Sequence, residues 1–167
     1  FTTWRDISAR KLAEQALQES ETKFREFFEK AADAIFIAEI ETGVIVDVNE
    51  AATRLMNRSY EQLIGIHQSQ LHPPVKENYA KDTFAIHTEL IKQKVNSYAL
   101  ENTVLRADGA EVPVEILASE VDYHGKNCMM GTFRDVTERK RASEALKNSL
   151  SLTEATLESI HNGILVV

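Results

Sequence analysis

The pattern of apolar and polar residues in the first half of the chain predicts a β-hairpin followed by helices. β-Branched runs at residues 35–40 and 44–48 lie on either side of a Thr42-Gly43 turn. From residue 49 the apolar positions recur at helical spacing. The predicted helices cover residues 49–56, a short segment from a Ser59–Gln62 capping box to Gly65, and residues 75–95 beyond a Pro73-Pro74 break.

Three strand-like segments follow in the second half of the chain. They cover residues 98–106, 112–121 and 126–135, separated by the turn sequences Asp108-Gly109 and His124-Gly125. Two strands, then helices, then a three-stranded meander predict an α+β domain. We expect a five-stranded antiparallel sheet with helices on one face, flanked by N- and C-terminal connector helices.

An internal repeat links the two ends of the chain. Residues 4–11 read like residues 133–140, with Asp6 matching Asp135 at an offset of 129 residues (135 − 6). The match continues without a gap through a helical segment into the start of the next unit. The repeat predicts the tail of a preceding module at 1–8, a connector at 9–32, a complete module at 33–137, a second connector at 138–158 and the start of a following module at 159–167.

The second connector carries a connector seam at Leu146, Leu150 and Leu157, which step along the chain as in a heptad repeat. An apolar seam of this kind needs a partner surface. We expect a parallel homodimer through the connector helices. An amphipathic helix folded back on its own domain is the alternative.

Short polar side chains predict where each connector helix begins. Asp135 is followed by Thr137 and Glu138, so a short side chain can cap free N–H groups while Glu138 complements the helix dipole. Asp6 and Ser8 occupy the corresponding place in the first connector.

Several short motifs, in this order and spacing, resemble the PAS domain with its C-terminal PAC extension. The similarity covers about residues 34–140, with partial copies at both ends. The motifs are Asp33-Ala34-Ile35, Asn49 at the end of the second strand, Tyr60-Glu61-Gln62-Leu63-Ile64-Gly65, Arg106-Ala107-Asp108-Gly109, Val112-Pro113-Val114-Glu115 and residues 131–140.

This resemblance implies a sensor or dimerisation module of a multi-domain bacterial or archaeal signalling protein. Neighbouring PAS modules and a C-terminal output domain, a sensor histidine kinase or a diguanylate cyclase, would then belong to the same chain. In such proteins an Asp-Val-Thr motif joins the last strand to the output helix. The matching positions, with the arginine that follows them, are the expected signal exit: Asp135, Thr137 and Arg139.

Composition excludes several other classes of function. The net charge is −7 and the basic residues form no single face, so nucleic acid is not an expected partner. Cys128 cannot form a disulfide within the chain and is expected to be a small buried residue of a strand, in a cytoplasmic, reducing compartment. No apolar run is long enough to span a bilayer, so we expect no membrane contact here, although the parent protein can carry an anchor elsewhere.

Candidate cofactor chemistry is sparse. Flavin-binding photosensory members carry a reactive cysteine near the segment 60–65, which has none here. Haem-binding members place a histidine early in the long helix, and the nearest histidines here are His72 and His87. The cofactor is therefore unknown, with haem and flavin both disfavoured, and no metal-ligand spacing or nucleophile with a base predicts an enzyme.

A cavity between sheet and helices is the remaining candidate site. Its side chains either form the hydrophobic core or surround a small ligand that His87 and Tyr98 would orient. The leading hypothesis is a small-ligand or redox sensor that signals through the exit, and the alternative is a ligand-free dimerising spacer. The candidate residues are Ile37, Val48, Met56, Phe84, His87, Ile91, Tyr98, Val104, Met130 and Thr132.

Overall fold

In a computed structural model of the chain, residues 3–74, 79–92 and 99–164 are described, and they form five helices and five strands. A one-turn 3-10 helix, Gln68–Leu71, lies between the third and fourth helices. The helices are α1 (Thr3–Lys30), α2 (Glu50–Met56), α3 (Tyr60–Leu63), α4 (Tyr79–Lys92) and α5 (Thr137–Ile164). The strands are β1 (Ala34–Glu39), β2 (Ile45–Val48), β3 (Leu100–Leu105), β4 (Glu111–Tyr123) and β5 (Lys126–Asp135).

The five strands form one antiparallel sheet in the order β2-β1-β5-β4-β3, which confirms the predicted fold class. β1 lies between β2 and β5, so the first and last strands of the domain are neighbours. β4 and β5 join through His124 and Gly125, both with positive φ. A two-residue turn with positive φ at both positions follows the right-handed twist of the two strands that it joins.

The main hydrophobic core lies on the sheet face covered by α2, α3 and the 3-10 helix. Alternate residues of the strands point into it because side chains along a strand alternate between faces. The predicted capping box is present, since the Ser59 N–H donates to Gln62 Oε1 at 2.9 Å. The fully buried members include Ile45, Val48, Met56, Leu63, Leu71, Val104 and Val114.

The last turns of α1 cover part of the opposite sheet face, so helices lie on both sides of the sheet. Phe28 of α1 is 4% exposed and packs with Ile37 and Cys128. Cys128 is fully buried, as predicted, and burial raises the pKa of its thiol. None of the described helices is long and apolar enough to cross a membrane.

The predicted start of the first connector helix is wrong. α1 begins at Thr3 and runs through Asp6 and Ser8, where a helix start was expected. α5 is helical to Ile164, and the start of a following module at 159 stays a prediction. The matching segments at 133–135 and 34–35 are strands because they pair with neighbouring strands. Among the described residues, the repeated copies have no such neighbours, so their backbone groups bond within a helix.

Candidate functional site

Asn49 is a fully buried side chain that holds four backbone groups from three parts of the chain. Its Nδ2 donates to the carbonyl oxygens of Phe28 and Asp33, each at 3.0 Å. Its Oδ1 accepts from the N–H of Ile35 at 2.9 Å and of Ala52 at 3.0 Å. These are all the hydrogen bonds a side-chain amide usually makes. Asn49 therefore ties the end of α1 to β1 and caps α2.

Asp47 lies two residues earlier, on an irregular stretch of β2. Ile37 pairs with Asp47 and Ala38 pairs with Ile45, so Val46 is an extra residue in the ladder. A bulge of this kind re-aims side chains. The Asp47 carboxylate is almost fully buried on the α1 side of the sheet, where an apolar residue would be expected from the strand pattern.

The buried carboxylate is compensated by three donors, and we call Asp47, Arg25, Tyr60 and Tyr123 the Asp47 cluster. Arg25 Nη1 of α1 lies 3.0 Å from Oδ2, and Tyr60 OH of α3 donates to Oδ1 at 3.1 Å. Tyr123 OH, at the end of β4, donates to Oδ2. Burial, reinforced by Asp47, raises the pKa of Tyr123 to about 12, so its hydroxyl stays a donor.

The guanidinium of Arg25 also lies over the ring of Phe28, with Cζ 5.6 Å from the ring centroid. Arg25 therefore connects the charge of Asp47 to the apolar contact that Phe28 makes with the sheet. Together, Asn49 and the Asp47 cluster fix the last two turns of α1 on the domain.

The predicted signal exit lies at the end of β5, beside the start of β1, where Phe133 pairs with Ala34. Asp135 Oδ1 accepts from the backbone N–H of Thr137 at 2.8 Å, which confirms the predicted capping of α5. The N–H of Val136 donates to the Pro113 carbonyl at 3.0 Å, so the β5–α5 joint is bonded to β4.

Acidic residues of the sheet anchor the first turn of α5. Arg139 Nη2 lies 3.3 Å from Glu115 Oε1 and 3.4 Å from Glu101 Oε1. Lys140 Nζ lies 2.8 Å from Glu101 Oε2 and lowers the pKa of that carboxyl. Arg139, predicted as part of the exit, therefore connects α5 with both β3 and β4.

One ion pair joins the end of α1 to the start of α5. Arg134, next to the exit, contacts Asp33, three residues after α1 ends, with Nη2 2.7 Å from Oδ2 and Nε 3.2 Å from both oxygens. The two residues are 101 positions apart in sequence. A guanidinium that meets a carboxylate through two nitrogens fixes orientation as well as distance.

The cavity that the described residues form between the sheet and α4 is small. Its volume is about 40 Å³, room for one or two water molecules at about 30 Å³ each, whereas small-molecule sites usually occupy about 300 Å³ or more. Phe84 and His87 of α4 reach it, as predicted. The other lining residues are Phe36, Ala38, Ile45, Gln68, Ile116, Ala118, Met129, Gly131 and Phe133.

The other cavity candidates lie elsewhere in the fold. Val48, Met56 and Val104 pack in the main core without lining the cavity. Ile91 is half-buried one turn beyond His87 on α4. Tyr98 lies outside the described residues.

Three predicted lining residues are on the wrong face of the sheet. Ile37 and Met130 pack in the cluster around Phe28, on the α1 side. Thr132 shares that face because Met129, Gly131 and Phe133 point into the cavity and side chains alternate along β5. The face assignments on β1 and β5 are one residue out of phase, and such a slip moves every side chain of a strand to the opposite face.

His72 is buried, and the sequence identifies it only as one of the two histidines nearest to the expected position of a haem ligand. Its Nδ1 lies 2.7 Å from the Thr103 carbonyl, so that nitrogen carries the proton and donates. The ring stacks on Phe133, with centroids 6.4 Å apart. Burial lowers the pKa of His72 below its usual range. Within the described ranges, no group of His, Cys, Asp and Glu side chains could hold a metal ion.

Sequence reasoning missed the contacts of Asp47, Arg25 and Phe28. A charged residue between Val46 and Val48, in an otherwise apolar strand, was the available signal for Asp47. Nothing local identified its partners, since Arg25 and Tyr123 lie 22 and 76 positions away.

The chain is similar to sensory proteins of bacteria and archaea. A family model described as PAS domain matches residues 32–138. The methyl sulfide methyltransferase-associated sensor of Methanosarcina acetivorans is 30% identical over 87% of this chain and 14% of its own length. Sporulation kinase A of Bacillus subtilis is 27% identical over 90% of this chain and 24% of its own. The chain therefore spans a quarter or less of these relatives.

Among solved structures, a domain of the sensory box sensor histidine kinase/response regulator from Geobacter sulfurreducens is similar throughout its length. The match covers 71% of this chain and 96% of that domain, with a TM-score of 0.57 and 25% sequence identity.

Asn49→Asp tests the four hydrogen bonds of Asn49. The substitution keeps the shape but replaces two N–H donors with an acceptor that faces the carbonyls of Phe28 and Asp33. We expect the free energy of unfolding, from urea titration, to fall by about 2–4 kcal/mol. Asn127→Asp, at an exposed position of β5, is the matched control and should change it little. Equal effects of both substitutions would contradict the assignment.

His72 should make the domain less stable in mild acid. Because folding lowers its pKa, its stabilising contribution is present above the unfolded value, about 6.5, and is lost as the pH falls towards the folded pKa. We expect unfolding free energies at pH 7.5 and 5.5 to differ less in His72→Gln than in wild type, with His124→Asn as the exposed control. An NMR titration that gave His72 a pKa of 6.5 or higher would contradict this expectation.

Proposed function

The chain belongs to the PAS domain family, and on that premise we propose that it is a signal-relay module of a larger signal-transduction protein. In this role α1 and α5 connect it to neighbouring modules and to an output domain. A displacement of α1 is passed through the sheet to α5, or the reverse. Catalysis is assigned to other parts of the parent protein.

The observation that carries this proposal is the ion pair between Asp33 and Arg134. It joins Asp33, three residues after α1 ends, to Arg134, next to the β5–α5 joint. Asp33 directly precedes β1, and Arg134 lies in the neighbouring strand β5. Asn49 holds the Asp33 carbonyl from the other side. Asp33 therefore contacts both Asn49, which holds the end of α1, and Arg134, which lies next to the exit. A movement of the end of α1 would reach the exit through these two contacts.

Sensing of a small ligand is the second candidate function, favoured by Phe84 and His87 at the cavity. A volume of about 40 Å³ admits only one or two waters in the arrangement described. A ligand would have to open the space between α4 and the sheet. The relay function needs no such opening, so the geometry supports it better.

We place the output domain among sensor histidine kinases rather than diguanylate cyclases. Sporulation kinase A and the Geobacter protein are kinases by name, and both are similar to this chain. A buried, unpaired Cys128 is compatible with a reducing compartment, so we propose a cytoplasmic location.

The connector seam is exposed on this chain, which supports a homodimer through α5. Leu146, Leu150 and Leu157 have exposed fractions of 63%, 57% and 61%. Apolar side chains aligned at heptad spacing gain stability when a second helix covers them. A parallel pair would place two copies of the exit side by side.

Amide hydrogen exchange tests the relay. Asp47→Asn should loosen α1 and raise exchange in its last turns. If α1 and α5 are coupled, exchange at the Val136 and Lys140 amides should also rise, by about fivefold for a local change of about 1 kcal/mol.

Two variants make this test specific. In an Arg134→Gln background, the effect of Asp47→Asn should stay confined to α1, because the bond to Asp33 is gone. Arg10→Gln, which removes an exposed pair within α1, is the control and should leave Val136 and Lys140 unchanged. Unaltered exchange at Val136 and Lys140 in Asp47→Asn would rule out the relay.

Leu146→Asp tests the homodimer. A carboxylate in an apolar seam should raise the dimer dissociation constant at least about tenfold, the equivalent of about 1.4 kcal/mol. Leu152→Asp, on the same helix but off the seam, is the control. Sedimentation that finds wild type monomeric at high concentration would contradict the dimer.

A further inference from the structure

Three arginines line one open groove of the domain, although they lie far apart in the sequence. Arg54 belongs to α2, Arg106 directly follows β3, and Arg134 lies near the end of β5. The volume of the groove is about 420 Å³, within the range of about 300–1,000 Å³ that small-molecule sites occupy. Of the described residues, only Phe133 lines both this groove and the small cavity beside α4.

The fold brings the three arginines together through two backbone contacts. The N–H of Ala107 donates to the Met56 carbonyl at 3.0 Å, so the turn after β3 is bonded to the end of α2. The start of β1 pairs with the end of β5, where Ala34 is opposite Phe133. The groove lies where α2, the β3–β4 turn and the ends of β1 and β5 meet.

Arg106 has a hydrogen-bond donor that the domain itself does not use. Its Nε is buried and has no hydrogen-bond partner among the described residues. Asp108 Oδ2 lies 3.4 Å from Nε, close enough for an ion pair but without the geometry of a hydrogen bond. Most buried polar groups in native structures are hydrogen-bonded, so this donor indicates an acceptor that comes from outside the chain. The side chain is 32% exposed, and part of it is therefore accessible from solvent.

The other two arginines are paired with acidic residues, but weakly. Arg54 Nη1 lies 2.6 Å from Glu50 Oε1, and Arg134 contacts Asp33 through Nε and Nη2. The two arginine side chains are 59% and 61% exposed, and ion pairs at such positions add little stability. Asp135, the other acidic residue that lines the groove, is engaged in capping α5. An incoming anion can therefore bind the arginines without a large loss of existing contacts.

We propose that this groove, which we call the arginine groove, binds a small oxyanion through Arg54, Arg106 and Arg134. The oxyanion is a phosphate or a carboxylate group. Guanidinium groups bind both through paired, charge-assisted hydrogen bonds. The chain as a whole carries a net charge of −7, so three cations around one groove form a local site of opposite sign. The relay function requires no ligand, and this site is additional to it.

A bound oxyanion would also act on the signal exit. Arg134 lines the groove and at the same time pairs with Asp33. An oxyanion that accepts hydrogen bonds from Arg134 competes with Asp33 and loosens the link between the end of α1 and the exit. This consequence rests on the proposed relay, whereas the binding site itself does not.

An NMR titration of the 167-residue chain tests the site. Inorganic phosphate and succinate are the two probes, and sodium chloride at equal ionic strength is the reference. The proton–nitrogen signal of Arg106 Nε reports directly on the unused donor. We expect a saturable shift of this signal with at least one probe and none with sodium chloride. The probe that saturates at the lower concentration shows whether phosphate or carboxylate is preferred.

Three variants make the titration specific, with the amides of residues 32–34 and 51–55 as the signals followed. Arg106→Gln should raise the dissociation constant about tenfold or more, because a charge-assisted hydrogen bond is lost. Arg54→Gln, at an exposed position of α2, should raise it as well and leaves the buried donor intact. Arg141→Gln is the matched control, since it removes the same charge from an exposed pair on α5 and should leave the dissociation constant unchanged.

Three results would overturn the proposal. The first is the absence of a saturable shift with either probe. The second is an equal shift in sodium chloride, which would show ionic screening only. The third is an equal loss of affinity in Arg106→Gln and Arg141→Gln, which would show that net charge alone is responsible.

Amide exchange at Val136 tests the link to the exit separately. With a saturating probe, this exchange should rise at least about twofold if the oxyanion competes with Asp33 for Arg134. Saturable binding without this rise would support the site and contradict its action on the exit. A failure of the relay in the Asp47→Asn experiment would leave the titration result unaffected, so the two failures are distinguishable.

Discussion

The side chain of Asn49 is the constraint on which the arrangement of this domain depends. It makes four hydrogen bonds to backbone groups of Phe28, Asp33, Ile35 and Ala52, and it is fully buried. Each bond is short in reach and directional, so together they allow one position for the end of α1 relative to β1 and α2. These bonds thereby fix the end of α1 on the sheet of the domain.

The charged contacts around this point differ in what they contribute. Asp47 is buried, so much of its attraction to Arg25 offsets the cost of removing the carboxylate from water. The pairs at Arg134 and Arg139 are largely exposed and each adds little stability. Their effect is geometric: Arg139 directs the start of α5 towards β3 and β4, and Arg134 holds it near the end of α1. These exposed pairs therefore fix orientation more than they add stability.

The interior is occupied by the domain's own aromatic side chains. Phe36 and Phe133 lie with ring centroids 4.7 Å apart, and the edge of Phe133 fills the space where a Cβ on Gly131 would lie, 2.9 Å away. His72 stacks on Phe133 and bonds to the Thr103 carbonyl of β3. These rings leave the cavity with room for a water or two.

The sequence by itself determined the order of the elements, the antiparallel α+β fold, the capping of α5 by Asp135 and the burial of Cys128. These depend on residue spacing and on contacts within a few positions, which a single chain displays directly. Tertiary structure alone decided which face Ile37, Met130 and Thr132 occupy, because strand phase is set by pairing with neighbours and by the extra residue at Val46. It also decided that residues 4–6 are helical while their copies at 133–135 form a strand, since only the latter lie between two partner strands.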